Sequence, residues 1–83
     1  MPKHDRTLAA VFASPVRGNI RWADIEAIFV YLGATITEGS GSRVEVELNG
    51  TDATFHRPHP GKEATKPMVR SVRKFLTDAG CEP

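Results

Sequence analysis

GSGSRVEVELNGTDATFHRPHPGK, the run from Gly39 to Lys62, decides the fold. Val44, Val46 and Leu48 alternate with Arg43, Glu45 and Glu47, the period-two pattern of a strand with one buried face. Asn49-Gly50 follows, and a second alternating run extends from Thr51 to Arg57. Asn-Gly supplies the positive φ angles that a two-residue type I′ hairpin turn requires. With those two residues as the loop, counting sets the register. Leu48 faces Thr51, Val46 faces Ala53 and Val44 faces Phe55 on an apolar side. Glu47 faces Asp52, Glu45 faces Thr54 and Arg43 faces His56 on a polar side open to solvent.

Outward from the hairpin, Gly39-Ser40-Gly41 turns the chain, and Ala34 to Glu38 reads as a brief strand before it. Pro58-His59-Pro60-Gly61 cannot continue a ladder and reads as a loop. Near the start, Leu8, Val11 and Phe12 recur at helical spacing, which predicts a short helix from about Asp5 to the Ser14-Pro15 stop. Pro15 to Asn19 is a connector. Trp22, Ile25, Ile28, Phe29 and Leu32 form the stripe of a second helix closed by Gly33. A last helix begins near Thr65 with Pro67 in its first turn, buries Val69, Val72, Phe75, Leu76 and Ala79, and ends at Gly80. The order (α)-α-β-β-β-α predicts a two-layer α+β fold with helices on one face of a three-stranded antiparallel sheet. We expect one domain over 1–83, with an extra N-terminal helix at about 5–13 and a core at about 20–80.

Composition narrows function by exclusion. The 83 residues are 40% hydrophobic and 25% charged, ordinary for a folded domain, and the formal net charge of +1 is too mild to indicate nucleic-acid binding by itself. Cys81 is the only cysteine, so no intramolecular disulfide is possible and a thiolate metal site is not expected. There is no apolar run long enough to span a bilayer and no signal-like h-region, and a reducing, cytoplasmic setting without membrane contact is the expectation.

The chemistry therefore rests on clusters. An imidazole exchanges protons near neutral pH, and a facing guanidinium binds a phosphate oxygen through two donors. The pair Arg43 and His56 offers both groups, with a solvated cross-strand pair of no role as the plain alternative. Metal-free RNA cleavage needs a base for the 2′-hydroxyl, an acid for the leaving oxygen and a cation for the developing charge. His59, held between prolines, is a second candidate acid, base or phosphate ligand, or else a loop-packing residue. A zinc site from His4, His56 and His59 is weakly supported, because no thiolates accompany it. Lys66, Arg70, Arg73 and Lys74 form a basic stripe on the last helix that suits a phosphate backbone or is simply a solvated face. Neither function requires a cofactor or a metal.

Trp22-Ala23-Asp24-Ile25-Glu26, Gly33-Ala34, Gly41-Ser42-Arg43 and the run His56 to Glu63, in this order, resemble the HicA toxins of bacterial HicAB toxin–antitoxin modules. The resemblance covers roughly residues 20–80. It implies a double-stranded-RNA-binding-domain-like fold and an mRNA interferase that uses a histidine and no obligatory metal. It also implies a HicB-like antitoxin partner that covers the active site, with operator DNA reached only through that antitoxin. Phosphate contacts are expected from Ser42, Arg57, Lys62 and the helix stripe. The family commonly has Gly-Ser-His where this chain has Gly41-Ser42-Arg43, and an arginine is no ordinary base at neutral pH. The register offers His56 as the imidazole, with Arg43 binding the scissile phosphate. The competing expectation is a catalytically silent RNA-binding or antitoxin-binding module of the same fold.

Overall fold

The computed structural model describes residues 3–58 and 62–83. The strands β2 (Thr35–Glu38), β3 (Arg43–Leu48) and β4 (Thr51–His56) form an antiparallel sheet in the order β2-β3-β4. The β3–β4 register matches the count from the turn, pair by pair from Leu48 opposite Thr51 to Arg43 opposite His56. Asn49 and Gly50 both take positive φ, 53° and 82°, as a type I′ turn demands. The Asn49 side-chain amide also donates to the Ala79 carbonyl at 2.9 Å, tying the turn to the end of the last helix.

One sheet face is covered by helices and the other is bare. Val44, Val46, Leu48 and Phe55 are buried, while Arg43, Glu45, Glu47, Asp52, Thr54 and His56 are exposed. The covering helices are α2 (Trp22–Tyr31) and α3 (Lys66–Asp78). Gly33, at φ +93°, takes the left-handed position that closes α2, which a side chain would adopt only under strain. In α3, the Thr65 hydroxyl caps the Met68 amide, Pro67 occupies the first turn, and Val69, Val72, Phe75 and Leu76 turn inward. Phe29 of α2, Phe55 of β4 and Phe75 of α3 meet with ring centroids 5.6–5.9 Å apart, and Trp22 lies 5.7 Å from Phe55. Each such pair adds about 0.5–1.5 kcal/mol beyond the area it buries. This aromatic knot locks the helix layer to the hairpin.

Three features depart from the sequence reading. Ile20–Arg21 (β1) and Glu63–Ala64 (β5) form a two-residue antiparallel ladder in stretches to which the sequence reading assigned no strand. The first helix, α1, runs Lys3–Val11, starting and ending about two residues early, and seals the core with the fully buried Val11. Arg73 is the third and corrects the basic stripe. It donates to the Val11 carbonyl from Nε (3.1 Å) and Nη2 (3.0 Å), to the Ala13 carbonyl at 2.6 Å, and lies 5.8 Å from the Phe12 ring centroid. The Val11 carbonyl closes the last turn of α1 and that of Ala13 lies just beyond it, both without a partner within the helix, so Arg73 acts as the clasp that fastens α1 to α3.

Candidate nucleic-acid interface

Strand alternation divides the candidate residues between two faces at one end of the sheet. The Arg57 amide donates to the Ser42 carbonyl at 2.9 Å, extending the ladder one residue beyond Arg43 and His56. Ser42 and Arg57 are therefore a hydrogen-bonded pair, and Arg43 and His56 a non-hydrogen-bonded one, in which facing side chains sit closest. Arg43 and His56 project from the bare outer face. The Arg43 guanidinium rests against Gly39, the residue opposite it on the β2 side. A methyl group on Gly39 would lie 2.8 Å from Arg43 Nε and 3.3 Å from Nη2. Arg43 thus faces His56 in register but leans toward the other neighbour, leaving the imidazole open to solvent.

Arg57 points the other way, toward the helices. Its Nε donates to Glu26 Oε2 at 2.8 Å, Nη2 to Glu26 Oε1 at 3.1 Å, and Nη1 to Glu38 at 2.9 Å. The Trp22 indole N–H donates to the same Glu26 carboxylate. The hydrogen bond from Arg57 holds the Glu26 carboxyl below the usual carboxylate range against the opposing cost of its burial. The reciprocal bonds from Glu26 and Glu38 raise the Arg57 pKa further, so this guanidinium never loses its charge. The fork-to-fork geometry fixes the guanidinium plane.

This network borders an open hollow of about 520 Å³ lined by Arg21, Trp22, Ala23, Glu26, Arg57, Pro58 and Lys62. Beyond its Arg57–Pro58 rim lies a second hollow of about 570 Å³ that reaches Gly41 and Ser42. The chain leaving the loop is fixed on the far side, where the Trp22 amide donates to the Lys62 carbonyl at 2.9 Å and β5 pairs with β1. His59 lies outside the described residues.

On α3, Lys66, Arg70 and Lys74 are exposed. The Lys66 stem lies over Gly18, and Lys74 pairs with Asp78 at 3.0 Å. With Arg73 committed to α1, the cationic stripe shrinks to these three. The His4 ring stacks on Tyr31 with centroids 4.7 Å apart. Among the described residues no three His, Cys, Asp or Glu side chains converge in a way that could hold a metal ion, and no helix is long and apolar enough to cross a membrane.

The model of the family described as HicA toxin of bacterial toxin–antitoxin matches residues 22–81. The chain belongs to the HicA toxin family. Comparisons with curated proteins and with solved structures return no match. The HicA match begins at Trp22 and so leaves out α1, the helix that Arg73 clasps. It takes in the whole sheet, Glu26, Arg57 and α3, and the α+β architecture is the one expected of a double-stranded-RNA-binding-domain-like HicA toxin. Glu26, Glu38 and Arg21 were absent from the sequence-based site. The one available signal was parity: Arg57 follows His56 and so shares the helix side with Phe55, where a charged group needs a partner.

Proposed function

We propose that this HicA-family chain is an mRNA-cleaving toxin whose reaction takes place at the outer end of the β3–β4 hairpin and whose neutralising partner is a HicB-like antitoxin. The observation that carries this reading is the facing pair Arg43 and His56, exposed together on the bare sheet face beside the family's Gly-Ser position. In the reaction, His56 takes the proton of an RNA 2′-hydroxyl, and the freed oxygen attacks the adjacent phosphorus. The bond to the 5′-oxygen breaks, a second proton donor protonates that oxygen, and a cyclic phosphate and a 5′-hydroxyl remain. His59 is the proposed donor. Arg43 swings off Gly39 to hold the charge developing on the phosphate. Lys66, Arg70 and Lys74 supply longer-range attraction for the RNA backbone. The antitoxin covers the same bare face, and operator DNA is reached only through it. The whole chain works in the cytoplasm as one domain over 1–83, with α1 as an addition.

The competing module without catalytic activity is favoured by one observation: Arg43 replaces the family's usual histidine and leans on Gly39 rather than toward His56. Inducing the chain alone in a bacterium and following messenger integrity on a gel separates the two. We expect growth arrest with messenger decay, and a loss of cleavage of at least about 100-fold in His56→Ala with the fold intact. Full cleavage by His56→Ala would remove His56 from the mechanism. An inert but soluble wild type would establish the silent module.

A further inference from the structure

We propose that the hollow walled by Arg21, Arg57 and Lys62 is a second phosphate subsite, which holds the RNA strand on the helix side of the sheet while the bond to be cut lies on the outer side. The proposal rests on the reading that the outer face acts on RNA. It assigns a ligand to residues that the reaction itself does not use.

The charge balance comes first. Three cations border the hollow against one carboxylate, and Glu26 already spends both oxygens on Arg57 and Trp22. Among the described residues neither Arg21 nor Lys62 has an ion-pair partner. Arg57 is balanced by Glu26 and Glu38, and Glu63 stands opposite Arg21 in the β1–β5 register, so what the hollow offers a ligand is two exposed cations, Arg21 and Lys62, in no ion pair among the described residues. Arg57 is the fixed member. Three of its five N–H groups are bound to Glu26 and Glu38, and two remain on a guanidinium whose orientation is already set. A ligand meeting those donors does not bear the entropic cost of ordering the side chain.

Size and continuity point to a polymer. A volume of about 520 Å³ falls within the range of small-ligand pockets, but the hollow is open rather than enclosing. It shares Arg57 and Pro58 with the neighbouring hollow, which runs on to Ser42, the residue before Arg43. The two hollows thus make one path around the sheet end, from Arg21 and Lys62 over the Arg57–Pro58 rim to Gly41 and Ser42, next in the chain to Arg43. Consecutive residues of a strand point to opposite faces, so His56 and Arg57 address the two sides of that rim. A flexible single strand with a phosphate at every step can follow this bend, whereas a rigid duplex cannot. The ligand is single-stranded RNA, bound through a phosphate next to the cleavage position.

The test uses the full chain and a fluorescent single-stranded RNA of about 12 nucleotides with every 2′-hydroxyl methylated, which binds but cannot be cut. Anisotropy is followed over a salt series for wild type, Arg21→Ala, Lys62→Ala, the double variant and Arg6→Ala, an exposed cation on α1. Circular dichroism verifies the fold of each variant. Removing one phosphate contact lowers the log–log salt slope by about 0.7, so the double variant loses about 1.4. We expect each single variant to bind about 3–10-fold more weakly at low salt, on the scale of one charge-assisted hydrogen bond. Arg21→Lys should keep the wild-type slope, and Arg6→Ala should match wild type. If wild type binds RNA and the double variant retains both affinity and slope, the subsite is wrong while the reading of the outer face stands. If wild type binds no RNA at all, that reading fails and the subsite with it. A double variant that binds RNA normally but no longer captures a co-expressed antitoxin would reassign the hollow to an acidic protein segment and overturn the proposal.

Discussion

His56 and Arg57 are neighbours in the chain, and the structure treats them in opposite ways. His56 projects from the outer face without a hydrogen-bond partner among the described residues, and the facing Arg43 leans away from it. Arg57 points inward into a network of two carboxylates and an indole, with its side chain only 32% exposed. Fixed charge and available chemistry are thus separated by a single residue of strand. The inward side builds the rim on which the outer side is displayed. A substitution inside should therefore change stability first, and one outside should change chemistry alone.

The largest test of this division is Arg57→Met, which keeps the aliphatic stem and removes the donors. Glu26, 23% exposed, is left with the Trp22 N–H alone. Losing hydrogen bonds to a charged, partly buried carboxylate costs about 1.5–3 kcal/mol. In a domain of this size each kcal/mol lowers Tm by about 4–8 °C. A thermal melt should fall by several degrees or more, while His56→Ala should melt as wild type does. Equal melting of Arg57→Met and wild type would show that the network contributes nothing to stability and that the contrast between the faces is only apparent.

Acid sharpens the same comparison by a smaller amount. The Glu26 carboxyl lies below its usual range in the folded chain, chiefly through the hydrogen bond from Arg57. A carboxylate with a depressed folded pKa contributes stability above its unfolded pKa and loses it as pH falls through the folded value. Wild type should therefore lead Arg57→Met most clearly near neutral pH, and the gap in Tm should close as pH falls from the ordinary carboxylate range through the lower value that Arg57 imposes on Glu26. Melts at half-unit steps measure this. A gap that stays constant with pH would mean that packing of the arginine stem, not its charge, stabilises the rim.

Much of this arrangement was legible because a few residues constrain many. Asn49-Gly50 determined six cross-strand pairs at once, and the structure contains all six. The α3 stripe was equally legible, since Val69, Val72, Phe75 and Leu76 are inward by period alone. The β1–β5 ladder was not, because two residues cannot display a period and their pairing joins residues 42 and 44 positions apart. Glu26 and Arg57 are 31 positions apart, and nothing local marks them as partners. Arg73 looked like its neighbours Arg70 and Lys74 because a charge stripe records a helix face but not what another helix lays across it. That other helix, α1, lies before the family match, so its packing had no motif to announce it.

The smallest expected effect concerns where Arg43 rests. Gly39 has no need of a positive φ, so alanine fits its backbone, yet the added methyl would come within 2.8 Å of Arg43 Nε. The obstacle is a flexible side chain, so the guanidinium moves and the fold holds. Gly39→Ala should leave Tm within about 2–4 °C, in line with surface changes of about 0.5 kcal/mol. The displaced guanidinium has β4 as its other neighbour, and there it meets His56. Nuclear Overhauser contacts between the Arg43 side chain and the His56 ring should therefore be stronger in Gly39→Ala than in wild type. If no such contact is gained, Arg43 does not reach His56 even when pushed toward it. The outer pair would then be neighbours in register alone, and the cation for the phosphate would have to come from across the rim.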